Sequence, residues 1–351
     1  MKKHTIGPGQ LAGLVTLSLL TLGTETLPAR LSFAGRAAWL CPLAAGGVLW
    51  LVGGLMIRRH LSGRKVLSGT AHPMGSRVLA ALLLLWSVFV TGSHAGRIGD
   101  RLSEDLRGSA LLLSAAALLL AAWVASGGLA ALGRAGQIFR MATGLTFFII
   151  VLFGLPGLRW DRILLWTDEE LKMLPVGVLE VFGELSVGLY ALLFLEDLEP
   201  KGERRQTGYG IPMLFLLLAL GSLLVLGRLG PGLAGAINRP FFQMVSGLGF
   251  QGAFQRLEEL VSALWLPGDL TLLALLLLGQ SRLLARLLRK EESRGMLWMP
   301  ALTVLVMVLF RVPQSEWWDG PVSQLGGLAA GAVLAFLAMI SKKPEKIQKG
   351  G

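Results

Sequence analysis

Residues 20–30 read LTLGTETLPAR, and they close the first long apolar segment of the chain. This stretch is unusual for a membrane helix, because Gly23 disfavours helix, Pro28 removes a backbone donor and Glu25 is costly in hydrocarbon. Backbone groups freed at membrane depth are tolerated only where they line a cavity or are buried in protein. Interrupted helices of this kind build ligand sites in transporters, so residues 20–30 predict a broken helix that organises a binding site.

The composition predicts an all-α polytopic membrane protein. Of the 351 residues, 53% are hydrophobic and 16% are charged, whereas a soluble domain has about 25% charged residues. Apolar runs long enough to cross a bilayer recur along the whole length, which indicates a single integral membrane domain over 1–351. The single cysteine, Cys41, excludes an intrachain disulfide and a cysteine metal cluster.

The apolar pattern predicts about ten transmembrane helices. They cover residues 10–28, 37–57, 78–95, 109–125, 139–158, 174–195, 211–229, 260–279, 296–311 and 324–340. Residues 233–257 are too polar to cross, so we expect a re-entrant or surface helix there.

The net charge of +11 does not indicate nucleic-acid binding, because the basic residues concentrate in alternate loops. About two thirds of the 33 Lys and Arg residues fall on one predicted side, which is the signal for membrane orientation. The bias predicts that both termini are cytoplasmic and that residues 341–351 form a basic cytoplasmic tail.

Ionisable residues inside a membrane are candidates for function. Glu180 and Glu184 of the sixth span are four residues apart and share one helix face. Gly183 and Ser186 weaken the same span, which makes it a second candidate for interruption. Glu184 has two open interpretations, a ligand-binding group or a carboxylate paired with a neighbour, whereas Glu180 fits an interface position.

Hydroxyl groups on other spans could complete a site. Thr91 lies on the predicted third span and Thr271 on the eighth. The alternative for each is a bond to its own helix backbone.

The sequence contains no P-loop, HExxH or GxSxG motif. We therefore expect no enzyme activity, no cofactor and no metal. The acidic residues at 168–170 and 196–197 lie in predicted loops, where we expect them to be solvated. No cluster of carboxylates able to couple an ion is evident.

Five stretches, in order, resemble the endospore germination permease family, the B-type membrane subunit of spore germinant receptors. They read IGPGQLAGLVTLSLLTLGTETLP, AAWLCPLAAG, ALGRAGQIFRMA, LPVGVLEVFGELSVGLYALLFL and FFQMVSGLGFQGAFQRLEELVSALW. The chain departs from the family pattern at Glu25, Ala37 and Gln255, and in the basic stretch RRHLSGRKVLSG after the second span.

The resemblance implies membership of the amino acid–polyamine–organocation group and a leucine-transporter-like fold. Such a fold has two inverted five-span repeats, here about 8–158 and 174–340, whose first helices are both broken. The resemblance also implies assembly with A-type and C-type receptor subunits in the inner spore membrane. The expected ligand is a small amino-acid-like germinant, held between spans one, three, six and eight. The expected binding residues are Gly23, Thr24, Glu25, Thr91, Gly183, Glu184, Ser186 and Thr271.

Three functions remain open from the sequence. The first is a germinant-sensing subunit that signals to partner subunits, and the second is a proton- or sodium-coupled transporter of amino acids or amines. The third is a structural subunit with a degenerate pocket. The lack of an evident carboxylate cluster favours the sensor over the transporter.

Overall fold

A computed structural model describes residues 5–58, 73–199, 204–248, 257–290, 293–310 and 321–340. Within these ranges the chain is helical, and the β-structure is limited to an isolated parallel bridge between Ile6 and Leu198. The basic tail, the loop 59–72 and Gln255 lie outside the described residues.

The longer helices form the bundle and the shorter ones lie in its connections. The α-helices are α1 Pro8–Arg30, α2 Leu40–Arg58, α3 Pro73–Leu106, α4 Ala110–Ser126, α5 Leu129–Gly154, α6 Asp168–Lys172, α7 Leu174–Leu185, α8 Arg204–Leu229, α9 Pro231–Ala236, α10 Pro240–Ser246, α11 Leu257–Leu288, α12 Arg294–Leu309 and α13 Pro321–Ile340. Segments of 3₁₀ helix cover Leu31–Ala37, Leu155–Gly157, Trp160–Arg162 and Ser186–Asp197.

Each of the ten predicted spans falls on one of these helices. In the described part of the chain, six helical segments are long and apolar enough to cross a membrane by length and composition. These are Pro8–Ala37, Arg77–Leu106, Leu129–Gly157, Leu174–Asp197, Pro212–Leu229 and Glu259–Leu288. The apolar helices at the other four positions are shorter, so the count of ten and the division into two repeats stay predictions.

The first span is not interrupted where the sequence predicted. Helix α1 continues through Gly23 and Thr24 and changes to 3₁₀ geometry only at Leu31. The hydroxyls of Thr24 and Thr26 donate to carbonyls one turn earlier in the same helix, at 2.7 and 2.9 Å, so both residues are accommodated in an unbroken helix. Gly23 instead permits close packing, since a Cβ there would lie 2.6 Å from Leu218 of α8.

The end of the first span is fixed by a loop carboxylate. Gly35 has a positive φ of 59°, and a side chain at this position would collide with Glu170, the third residue of α6. The backbone amides of Arg36 and Thr167 donate to the two Glu170 oxygens at 2.9 and 2.8 Å. Partial burial opposes ionisation of Glu170, but these hydrogen bonds prevail and lower its pKa. Glu170 is therefore a bonded cap and not the solvated loop residue that the sequence suggested.

The sixth span is interrupted as predicted. Helix α7 ends at Leu185, and the chain continues as 3₁₀ helix from Ser186 to Asp197. The Ser186 hydroxyl donates to the Gly183 carbonyl at 2.7 Å. Glu184 therefore lies in the last turn of α7, just before the change to 3₁₀ helix at Ser186.

Helix α1 lies at the centre of the bundle, packed against α5, α8 and α11. The region expected to be a re-entrant or surface helix forms α9 and α10, and α10 packs inward against α1, α8 and α11. Phe241 and Met244 of α10 are buried, and Phe241 lies 5.3 Å from the buried ring of Trp265. These contacts cover the end of the bundle at which α1 ends.

Candidate functional site

A cleft opens between α3, the sixth span and α13, and Arg30 at the end of α1 reaches into it. Its cavity volume is about 50 Å³, and the cleft is partly open to the outside. We call it the Glu184 cleft, after the buried carboxylate in its wall. Its charged and aromatic lining includes Arg30, Trp86, Phe89, His94, Arg97 and Glu184.

Two arginines meet one carboxylate in this cleft. Arg97 Nη1 lies 3.0 Å from Glu184 Oε1, and Arg30 Nε lies 3.4 Å from Glu184 Oε2. The Glu184 side chain is 6% exposed and that of Arg97 is 27% exposed, so the arginine is the more accessible partner. Two guanidinium groups thus bond to the same buried carboxylate in the wall of the cleft.

His94 supports this arrangement from α3. Arg97 Nη2 lies 3.1 Å from His94 Nδ1, and because arginine can only donate, Nδ1 is the acceptor. The histidine thereby helps to hold the guanidinium toward Glu184.

The opposite wall depends on close helix packing. A Cβ at Gly327 of α13 would lie 2.8 Å from the Gly183 carbonyl and 2.6 Å from the Ser186 hydroxyl. Glycine at 327 therefore lets α13 approach the broken sixth span. The packing places Gly183, Glu184 and Ser186 together in the cleft, as three of the predicted site residues.

The other predicted site residues lie elsewhere. The Thr91 hydroxyl accepts from Gln280 Nε2 at 2.7 Å, and Thr271 donates to the Pro267 carbonyl of its own helix at 2.7 Å. Thr24 accepts from Trp265 Nε1 at 3.0 Å. The Glu184 cleft, whose walls come from spans three, six and ten with one side chain from span one, is thus not the expected pocket. A smaller apolar pocket does lie between spans one, six and eight, and Ser18, Gly188 and Leu272 are among its lining residues.

A second ion cluster lies one helical turn along α3. Arg101 Nη1 bonds to Glu25 Oε2 of α1 at 2.9 Å, and Arg101 Nη2 bonds to Asp269 of α11. The Arg101 side chain is 1% exposed and packs on the Phe242 ring of α10, 5.5 Å from its centroid. We call this group the Arg101 triad.

The triad brings together two carboxylates that the sequence analysis did not connect. Asp269 was overlooked because residues 260–279 were interpreted as a plain apolar span, although it is the only acidic residue in that segment. A lone carboxylate inside a predicted span was the available signal. Its partners Arg101 and Glu25 are 168 and 244 positions away in sequence, too distant for spacing to suggest the contact.

A third ion cluster ties the sixth span to α11 at the opposite end of the bundle. Arg282 donates to the Leu193 carbonyl at 2.7 Å, bonds to Asp197 and stacks on Phe194 at 4.4 Å. Nearby, the Ile6 amide donates to the Asp197 carbonyl at 2.9 Å. Asp197 is thus buried and paired, not solvated as the sequence suggested.

Two of the solved structures that resemble this chain are transporters. One is MHP1, a nucleobase-cation-symport-1 family transporter in a closed conformation with bromovinylhydantoin bound. It superposes with a TM-score of 0.60 at 15% identity, over 96% of this chain and 78% of that chain. MhsT in complex with L-phenylalanine has a TM-score of 0.63 at 12% identity, over 96% of this chain and 88% of that chain. At such identities the likeness shows the fold alone, and that fold is the leucine-transporter-like one that the sequence predicted.

The fold and the apolar helices define an integral membrane protein of the permease class. The family described as spore germination protein, the spore permeases, matches residues 108–316, which is more than half of the chain. The chain therefore belongs to the spore germination permease family. No curated protein matches it in sequence.

Proposed function

We propose that this chain is the nutrient-sensing membrane subunit of a spore germination receptor and binds a small amino-acid-like ligand in the Glu184 cleft. The observation that carries the proposal is the pairing of one buried carboxylate with two arginines in an open cleft. A free amino acid offers the matching charges, since its carboxylate can bond to Arg30 and Arg97 while its ammonium group bonds to Glu184.

The aromatic wall suggests a preference for ligands with an apolar side chain. Trp86 and Phe89 line the cleft beside the ion pairs, and Tyr190 closes its base. Ligand sites generally combine such apolar walls with a few polar groups that fix orientation.

Ligand binding at this position would act on helix packing. Glu184 joins the broken sixth span to α1 through Arg30 and to α3 through Arg97. A ligand that takes over these bonds would stabilise a different relative position of the three elements. Coupling of this kind between sites is worth about 1–3 kcal/mol, enough to bias a two-state receptor.

We further propose that the A-type and C-type receptor subunits read this change in the inner spore membrane, and that both termini are cytoplasmic. Family membership supports the subunit assignment, and the bias of basic loops supports the orientation. In this orientation the Glu184 cleft and the Arg101 triad lie in the outer half, and the Arg282 cluster lies in the inner half.

A binding assay with purified protein tests the proposal. We expect at least one member of a panel of tritiated free amino acids to bind saturably. Glu184→Gln and Arg97→Gln should each weaken that binding by tenfold or more, because each removes one charge partner of the ligand. Glu169→Gln, which changes an exposed loop carboxylate, is the matched control and should bind as the wild type does.

Coupled transport is the second candidate function, and the Arg101 triad is the observation that favours it. Uptake of the bound amino acid into proteoliposomes by this chain alone would contradict a purely sensing role. Binding without uptake would support the sensor. If no amino acid binds, even with the partner subunits present, the ligand proposal is wrong.

A further inference from the structure

The Arg101 triad is unbalanced in charge. One guanidinium bonds to two carboxylates that come from different helices, Glu25 of α1 and Asp269 of α11. The side chains of Glu25 and Asp269 are only 12% and 8% exposed. With all three groups ionised, the triad carries a net charge of −1 in a region where an uncompensated charge costs several kcal/mol.

The surroundings offer no second cation among the described residues. On α3, Asp105 lies one turn beyond Arg101, is exposed and accepts from Ser262 at 2.5 Å. Helix α10 contributes the Phe242 ring and has no titratable side chain. Asp105 adds negative charge, so the neighbours increase the imbalance.

Three nearby cations bond to other carboxylates. Arg97, one turn earlier on α3, bonds to Glu184, and so does Arg30. Arg239, next to α10, bonds to Glu104 at 2.9 Å. Among the described residues, no cation other than Arg101 is seen to bond to Glu25 or Asp269.

We propose that the Glu25–Asp269 pair binds one proton, which the two carboxylates share as a coupled site. Proton binding converts one carboxylate to a carboxylic acid and leaves Arg101 paired with the other, so the buried charges balance. Arg101 Nε is buried and donates to no acceptor, so the guanidinium retains a free donor through which it can reorient between the two carboxylates.

Protonation would also change the contacts between helices. In the ionised triad, Arg101 holds α1 and α11 to α3 at the same point. A neutral carboxyl bonds to arginine more weakly than a carboxylate does. Proton binding thus weakens the contact of α3 with either α1 or α11. This contact lies one turn along α3 from Arg97, which bonds to Glu184.

Infrared difference spectroscopy on the purified full-length chain tests the proposal without any amino acid. Acidification of the wild type should produce the carbonyl band of a buried carboxylic acid. Glu25→Gln and Asp269→Asn should each abolish this band, since each leaves a neutral pair of one arginine and one carboxylate. Glu104→Gln, also an arginine-bonded glutamate on this side of the bundle but exposed, should retain it.

The variants also distinguish a proton site from a merely structural cluster. Glu25→Gln resembles the protonated state, so it should fold and its thermal stability should depend less on pH than that of the wild type. If Asp269→Asn does not fold, the comparison of the carboxylic acid band in Glu25→Gln and in the wild type is sufficient to test the proposal. A band that persists in Glu25→Gln, or the absence of any band in the wild type, would overturn the proposal.

Sodium provides the remaining check. If sodium chloride suppresses the acid band and choline chloride does not, a metal cation neutralises the pair and the proton assignment is wrong. Because no amino acid is present in these measurements, their outcome is independent of ligand binding at the Glu184 cleft.

Discussion

Arg101→Gln should be among the most damaging single substitutions in this chain. The side chain is 1% exposed and joins three helices through Glu25 and Asp269. Glutamine cannot compensate either carboxylate, so the substitution leaves the buried Glu25–Asp269 pair with negative charge and without its cation. Removing one partner of a buried ion pair costs about 3–5 kcal/mol, and the second carboxylate places the expected loss at the upper end of that range.

Arg239→Gln is the matched control. Arg239 bonds to Glu104 at 2.9 Å, the same distance as between Arg101 and Glu25, but Glu104 is 67% exposed. An exposed pair contributes about 0–1 kcal/mol, so this variant should unfold close to the wild-type temperature. Tryptophan fluorescence during heating of the purified proteins would compare the three, and Arg101→Gln should unfold on the order of 10 °C lower. Equal losses in the two variants would refute the argument that burial decides the effect.

Further predictions concern packing, pH and one buried hydrogen bond. Gly327→Ala should lower thermal stability and weaken amino-acid binding, because its Cβ would lie 2.8 Å from the Gly183 carbonyl. Gly47→Ala, whose Cβ would have no atom within 4 Å, should leave both properties unchanged. A larger effect of Gly47→Ala than of Gly327→Ala would contradict the packing argument. Because the pKa of Glu170 is lowered in the folded protein, the wild type should be more stable than Glu170→Gln, and the full difference should be present above the ordinary pKa of 4.5. The difference should disappear as the pH falls through the lowered pKa of the folded protein. A difference in melting temperature that does not change with pH would contradict this prediction. Trp265→Phe should cost about 1–3 kcal/mol in chemical unfolding, since it removes the bond to Thr24 and part of a fully buried ring, and an unchanged midpoint would exclude that bond as a contributor.

Much of the helical architecture follows from the apolar pattern. Runs of apolar residues place all ten predicted spans on helices, because hydropathy alone determines which segments leave water. The position of the break in the first span could not be derived in the same way. Gly23 and Pro28 weaken a helix in isolation, but close packing of Gly23 against Leu218 of α8 overrides that preference.

The site was only partly predictable for a similar reason. Glu184 was identifiable as an ionisable residue beside a weak helix, and the structure gives it two arginine partners. Arg30 and Arg97 had been counted as loop residues, so their role depends on tertiary contacts that span 154 and 87 positions. Asp269 shows the opposite case, a visible signal that was missed because the surrounding run is so apolar.

The requirement for a zwitterion tests the proposed Glu184 cleft most directly. The measurement is binding of one amino acid that binds the wild type, compared with its methyl ester and its N-acetyl derivative. The ester lacks the carboxylate expected to meet Arg30 and Arg97, and the N-acetyl form lacks the ammonium group expected to meet Glu184. We predict that both derivatives bind at least tenfold more weakly than the free amino acid. Equal affinity for all three would contradict ligand recognition by these charges.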